Sequence, residues 1–164
     1  TRAGAWAGWI ECSDAFDPPS AASAGAALDR TLWVRAPGVR EALRATERLL
    51  EAKGFSLILL ALSLPAGKSA RHHESTAPFP AWPRLRKRAA ESHTALVVLC
   101  DQRLVGTFAD LAFELARPKP RVEGSPALFT GLEGEVTLVR NRLGPTEARI
   151  SLAVAVGCAL PGAA

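Results

Sequence analysis

Residues 31–62 read TLWVRAPGVREALRATERLLEAKGFSLILLAL, and the order of the three pieces within this stretch decides the fold. Thr31–Arg35 is a short apolar run that Pro37 and Gly38 end, which predicts a strand. Val39, Leu43, Thr46 and Leu50 then recur at helical spacing with Leu49 beside them, so Val39–Ala52 is expected to be an amphipathic helix. Glu41 with Arg44, and Arg48 with Glu51, are spaced for surface ion pairs on it. Gly54 supplies the C-terminal stop. Leu57–Leu62 is a continuous apolar run, the pattern of a strand buried on both faces. Strand, helix and strand in this order make the right-handed parallel crossover unit.

Working outward, the same alternation continues on both sides. Ala5–Glu11 is another buried strand, and Asp17-Pro18-Pro19-Ser20 breaks it. Pro18 or Pro19 opens a short helix of small residues through Gly25. On the other side, Pro65–Pro83 is rich in Pro, Gly, Ser, His and Thr and reads as a loop. Arg84–Ser92 reads as a short basic helix and Ala95–Cys100 as a buried strand. Leu104, Phe108, Leu111 and Leu115 fit a second amphipathic helix that Pro118 ends. The tail changes character, with short strands expected at Leu128–Glu133, Val136–Arg142 and Ala148–Val156, the last two joined by a hairpin at Gly144-Pro145. The expected fold class is therefore α/β, a mostly parallel sheet flanked by helices with antiparallel hairpin strands at the C-terminal end.

Composition sets outer bounds. A length of 164 residues with 48% hydrophobic and 22% charged residues fits one soluble globular domain, residues 1–164. No apolar run reaches the roughly 18 residues of a membrane span, and no secretory signal pattern is present. Cys12, Cys100 and Cys158 are far apart, odd in number and set in apolar surroundings, as expected of reduced buried thiols in a cytoplasmic protein. The chain starts at Thr1 and has no methionine, which points to an unseen N-terminal part. The net charge of +4 and a pI near 9.4 permit nucleic-acid binding without demanding it.

Few residues carry chemistry. Gly67-Lys68-Ser69 follows a strand, as the end of a phosphate-binding loop would. Leu62 stands where that motif needs its first Gly, and Arg71-His72-His73-Glu74-Ser75 follows where an apolar helix should begin. A solvated loop is the simpler reading. His72, His73 and Glu74 are neighbours whose side chains do not converge on a metal, so no metal and no cofactor is expected. Arg84, Arg86, Lys87 and Arg88 are the densest basic cluster. They form either a solvated helix face or a surface for DNA phosphates or an acidic partner. Phe79 and Trp82, just before it, either stack on bases or fill the core. Ser13, Ala61 and Gln102 occupy the strand ends where α/β folds hold their reactive groups, and they are a poor set for acid–base catalysis.

The succession of segments resembles the RecA recombinase core, and within it the ImuA family of RecA-like proteins associated with bacterial translesion synthesis. The resemblance runs from about Trp9 to Val156. It is carried by Trp9-Ile10-Glu11-Cys12-Ser13-Asp14-Ala15-Phe16-Asp17-Pro18, by Gly25–Arg35, by the helix and strand through Ala61, and by Val139-Arg140-Asn141-Arg142-Leu143-Gly144-Pro145. By that resemblance Ser13 stands where RecA has its water-activating Glu, and Ala61 where it has the acidic residue that supports magnesium. Gln102 matches the Gln that senses the γ-phosphate. Arg140 and Arg142 match the basic pair that reaches a neighbouring protomer's nucleotide. Pro65–Pro83 would match the first DNA-binding loop, and the second, after Gln102, is nearly absent. Neither Ser nor Ala activates water or holds Mg²⁺, and the phosphate-binding loop would lie before Thr1. What the resemblance implies is a non-catalytic accessory protein of the DNA-damage response. Its partner would be the error-prone polymerase complex or RecA, with DNA contact through the basic helix. A SulA-like cell-division inhibitor that binds FtsZ, and a divergent RecA-type ATPase, are the alternative readings.

Overall fold

The structure, a computed structural model, describes residues 4–62, 81–101, 104–146 and 148–155. They fall into two compact units, one ending at Phe108 and the other starting at Ala109.

The first unit is built on four parallel strands. They are β1 (Trp6–Glu11), β2 (Thr31–Arg35), β3 (Phe55–Leu62) and β4 (Ala95–Cys100), in the order β2-β1-β3-β4. Two helices connect successive strands, α2 (Val39–Ala52) between β2 and β3 and α3 (Ala81–Glu91) between β3 and β4. A shorter helix, α1 (Pro18–Ser23), follows β1. Asp17 caps it by accepting from the Ser20 backbone N–H at 3.1 Å, with proline at its start. The crossover read from residues 31–62 is therefore present, with α2 ending before Gly54 at a φ of 83°.

The core lies between the sheet and the two long helices. Ile10, Ile58, Leu60 and Leu62 point into it from the strands, Leu43 and Leu50 from α2, and Trp82 and Leu85 from α3. Gly8 lets α2 approach closely, since a Cβ there would lie 3.1 Å from the Leu49 side chain. The opposite sheet face presents Trp33, Trp9, Leu59 and Val97 side by side in register, with Leu57 and Leu99 in the rows on either side. Leu57, Val97 and Leu99 remain exposed there, so the strands read as buried on both faces are covered fully on one.

The second unit is an antiparallel sheet of β5 (Leu111–Leu115), β6 (Lys119–Glu123), β7 (Leu128–Asn141) and β8 (Arg149–Ala155). Its residues alternate by face. Phe113, Leu115, Leu132, Val136, Ile150, Leu152 and Val154 share one side, while Glu114, Glu133, Glu135, Arg149 and Ser151 share the other. Arg121–Glu133 and Arg149–Glu135 ion pairs, both at 3.8 Å, lie on the polar side.

Three sequence expectations are corrected here. Leu104–Leu115 is not a helix but a 3-10 turn at Gly106–Phe108 followed by β5. Leu111, Phe113 and Leu115 also fit an alternation of period two, and the ladder to β7 selects that period. The strands expected on either side of Gly134 are one strand of 14 residues, because β6 and β5 pair with its successive halves while β8 spans the middle. Finally, the basic helix begins at Ala81, inside the stretch read as a loop, with Pro83 tolerated in its first turn.

Candidate functional site

The carboxyl ends of β1 and β3 meet where the chain's connections diverge, β1 leading to β2 on one side and β3 to β4 on the other. In open α/β sheets this is the usual place for a ligand. The structure brings Ser13 and Ala61 to this edge together. Ser13 is exposed just beyond β1, and Ala61 is 3% exposed, in register with Glu11.

Glu11 is the residue that sequence reading passed over. It is fully buried, and its carboxylate is held by three hydrogen bonds. One carboxylate oxygen accepts from the Trp33 indole N–H at 2.8 Å, and the other from the backbone N–H groups of Ala15 and Phe16 at 2.7 and 3.0 Å. These bonds fold residues 12–17 back over the strand end. Phe16 lands on Trp9 and Trp33, with ring centroids 4.6 and 5.2 Å apart, and the Arg35 guanidinium lies 4.9 Å from the Trp33 ring. Arg35 also pairs with Asp14 at 3.4 Å, both well exposed. The surrounding depression is lined by Glu11, Cys12, Ser13, Asp14, Arg35, Ala36 and Pro37.

Chemically the arrangement is quiet. Both oxygens of Glu11 are occupied by donors, so it is an acceptor that shapes a loop and not a free base. Burial, and then the Glu11 charge, push the Cys12 thiol above its ordinary range, which holds it in the unreactive protonated form. Its Sγ faces the Ala61 carbonyl at 3.9 Å. The Trp9 indole N–H is buried without a partner among the described residues. A carboxylate followed by two loop amides and a Trp on the next strand is a spacing that could have flagged Glu11. A Glu closing an apolar strand is otherwise unremarked in sequence.

The other predicted residues lie elsewhere. The basic helix α3 turns two of its arginines toward α2. Arg88 Nε lies 3.2 Å from Glu47 and pairs also with Glu51, and Arg84 Nε lies 3.7 Å from the same Glu47. Lys87 pairs with Glu91 at 3.8 Å, and Arg86 is engaged as well. Much of the cluster's charge is thus matched inside the chain. Trp82 is 3% exposed and belongs to the core, so it is not a stacking platform.

In the second unit, Arg140 donates from Nε to the Ala109 carbonyl at 2.9 Å, and Arg142 lies 3.8 Å from Asp110. Asn141 between them accepts from the Leu143 N–H and donates to the Pro145 carbonyl, shaping the connection into β8. Gln102, Phe79, Gly67-Lys68-Ser69, His72, His73 and Glu74 lie outside the described residues. Among the described residues no helix is long and apolar enough to cross a membrane.

No known family profile and no curated protein matches the chain. Among solved structures it is similar to the RadB recombinase, with a TM-score of 0.62 and 16% identity, over 92% of this chain and 76% of that one. At that identity the likeness is one of fold, and the fold of this chain is RecA-like.

Proposed function

We propose that the chain is a non-catalytic RecA-like protein of the bacterial DNA-damage response. In this reading it is cytoplasmic and acts by binding a protein partner, the error-prone polymerase complex or RecA, close in role to the ImuA family. The observation that carries the reading is the strand-end site. By the resemblance to RecA, Ser13 and Ala61 occupy the places where hydrolysis needs a water-activating carboxylate and a magnesium ligand, and the neighbouring buried Glu11 carboxylate already accepts three hydrogen bonds from within the chain. The fold likeness to a recombinase supports the family of activities from which such a protein would derive.

Two measurements test it. The purified chain should show no magnesium-dependent ATP turnover, and Ser13→Glu with Ala61→Asp should not create it. Affinity capture with the error-prone polymerase subunits and with RecA should retain the chain. Measurable turnover, or failure to bind either partner, overturns the proposal. Filamentous cells on overproduction would point instead to division inhibition of the SulA kind.

A further inference from the structure

Both α2 and α3 start at the carboxyl edge of the parallel sheet, because each leads from the end of one strand to the start of the next. Between the N-terminal halves of the two helices lies a cavity of about 190 Å³. Its floor is apolar, made by the buried Leu43 and Leu85. Arg40 and Arg44 of α2 and Arg84 of α3 line it, together with one carboxylate, Glu47.

Glu47 is already shared between Arg84 and Arg88. Glu41, the acidic residue in the first turn of α2, sits against Gly38. Arg40 and Arg44 form no ion pair among the described residues. The placement of this charge runs against two ordinary preferences. Arginines four residues apart on one helix face repel each other. Arg40, second in α2, and Arg84, fourth in α3, also meet the positive ends of their helix dipoles. Both penalties are relieved when an anion occupies the cavity.

We propose that this cavity binds a phosphate group. Three planar guanidinium forks supply more donors than the two oxygens of a carboxylate take up, whereas a phosphate presents oxygens on several sides. Helix N-termini favour the same anion. The cavity is smaller than the roughly 300–1,000 Å³ of sites for drug-sized molecules, so it takes one phosphate group and no base or sugar. The phosphate is either free or carried on a nucleic-acid strand. The second source rests on the DNA-damage reading above, and the phosphate chemistry does not.

The test uses the full chain and the variant Arg40→Gln/Arg44→Gln, with Arg84→Gln as a second, separately folded variant. Inorganic phosphate should raise the melting temperature of the native protein and of neither variant. A fluorescent single-stranded oligonucleotide should bind the native chain and lose about tenfold or more in affinity in the double variant, with a salt slope shallower by about 0.7. Protection by inorganic phosphate without oligonucleotide binding keeps the phosphate site and removes nucleic acid as its source. Equal responses in native and variant proteins overturn the site, as does no response to either probe. Equal protection by polyglutamate also overturns it, in favour of an acidic-peptide surface.

Discussion

Glu11 shows how little a residue's type says about its work until its neighbours are known. In sequence it is a carboxylate at a strand end, where α/β enzymes keep their acids and bases. In the structure its three donors, one indole and two loop amides, fix the course of residues 12–17 and bring Phe16 onto Trp9 and Trp33. Removing the acceptor leaves all three donors without it at a partly buried place. Glu11→Ala is therefore expected to cost about 2–4 kcal/mol of unfolding free energy, and Glu11→Gln, which keeps one carbonyl oxygen, clearly less. Denaturant unfolding followed by tryptophan fluorescence reads both. A cost below about 0.5 kcal/mol for the Ala variant would mean that the bonds do not hold the loop. That Ser13 and Ala61 carry no carboxylate is legible from sequence in any conformation, and the proposal of a non-catalytic role rests on it. Glu11 was not legible, since only the fold shows what its oxygens touch.

Elements formed where the local pattern left one solution and were missed where it left two. The apolar spacing of Val39, Leu43, Thr46 and Leu50 fits a helix and nothing else, and α2 follows it with Leu43, Thr46 and Leu50 buried. Leu111-Ala112-Phe113-Glu114-Leu115 fits period two as well as period 3.6, and pairing with β7 decides in favour of the strand. The same dependence on partners makes β7 one long strand across Gly134 and gives Gly131 its importance. At Gly131, β8 passes so close that a Cβ would sit on the Val154 carbonyl oxygen and 3.1 Å from Ala155 Cα. Both are backbone atoms and cannot swing aside. Gly131→Ala is expected to force the two strands apart and cost about 1–3 kcal/mol. Protection of the β8 amides in hydrogen exchange should fall while that of β1 and β3 is kept. Unchanged β8 protection would show that the strands can shift without loss.

The molecule as a whole covers its parallel sheet unevenly. α2 and α3 seal one face, and on the other Val97 and Leu99 stay 40% and 42% exposed. These two apolar side chains therefore contribute little to the packed interior. Leu99→Lys, whose aliphatic stem can lie along the sheet, should cost about 1 kcal/mol or less and lower the binding of a hydrophobic dye. A loss of about 2–5 kcal/mol, the range of a core truncation, would place Leu99 in the interior instead. Taken by itself, the sequence determined the parallel strands, the crossover helices and the α/β class. Those features follow from side-chain chemistry and from periodicities that repeat within one element. The tertiary structure alone decided that β5 is a strand, that Glu11 is a buried acceptor, and that Arg84 and Arg88 answer to Glu47 and Glu51. It also decided that Arg40, Arg44 and Arg84 border one cavity. Each of these depends on hydrogen bonds, ion pairs or contacts between residues remote in the chain, and no local pattern encodes which remote residue will arrive.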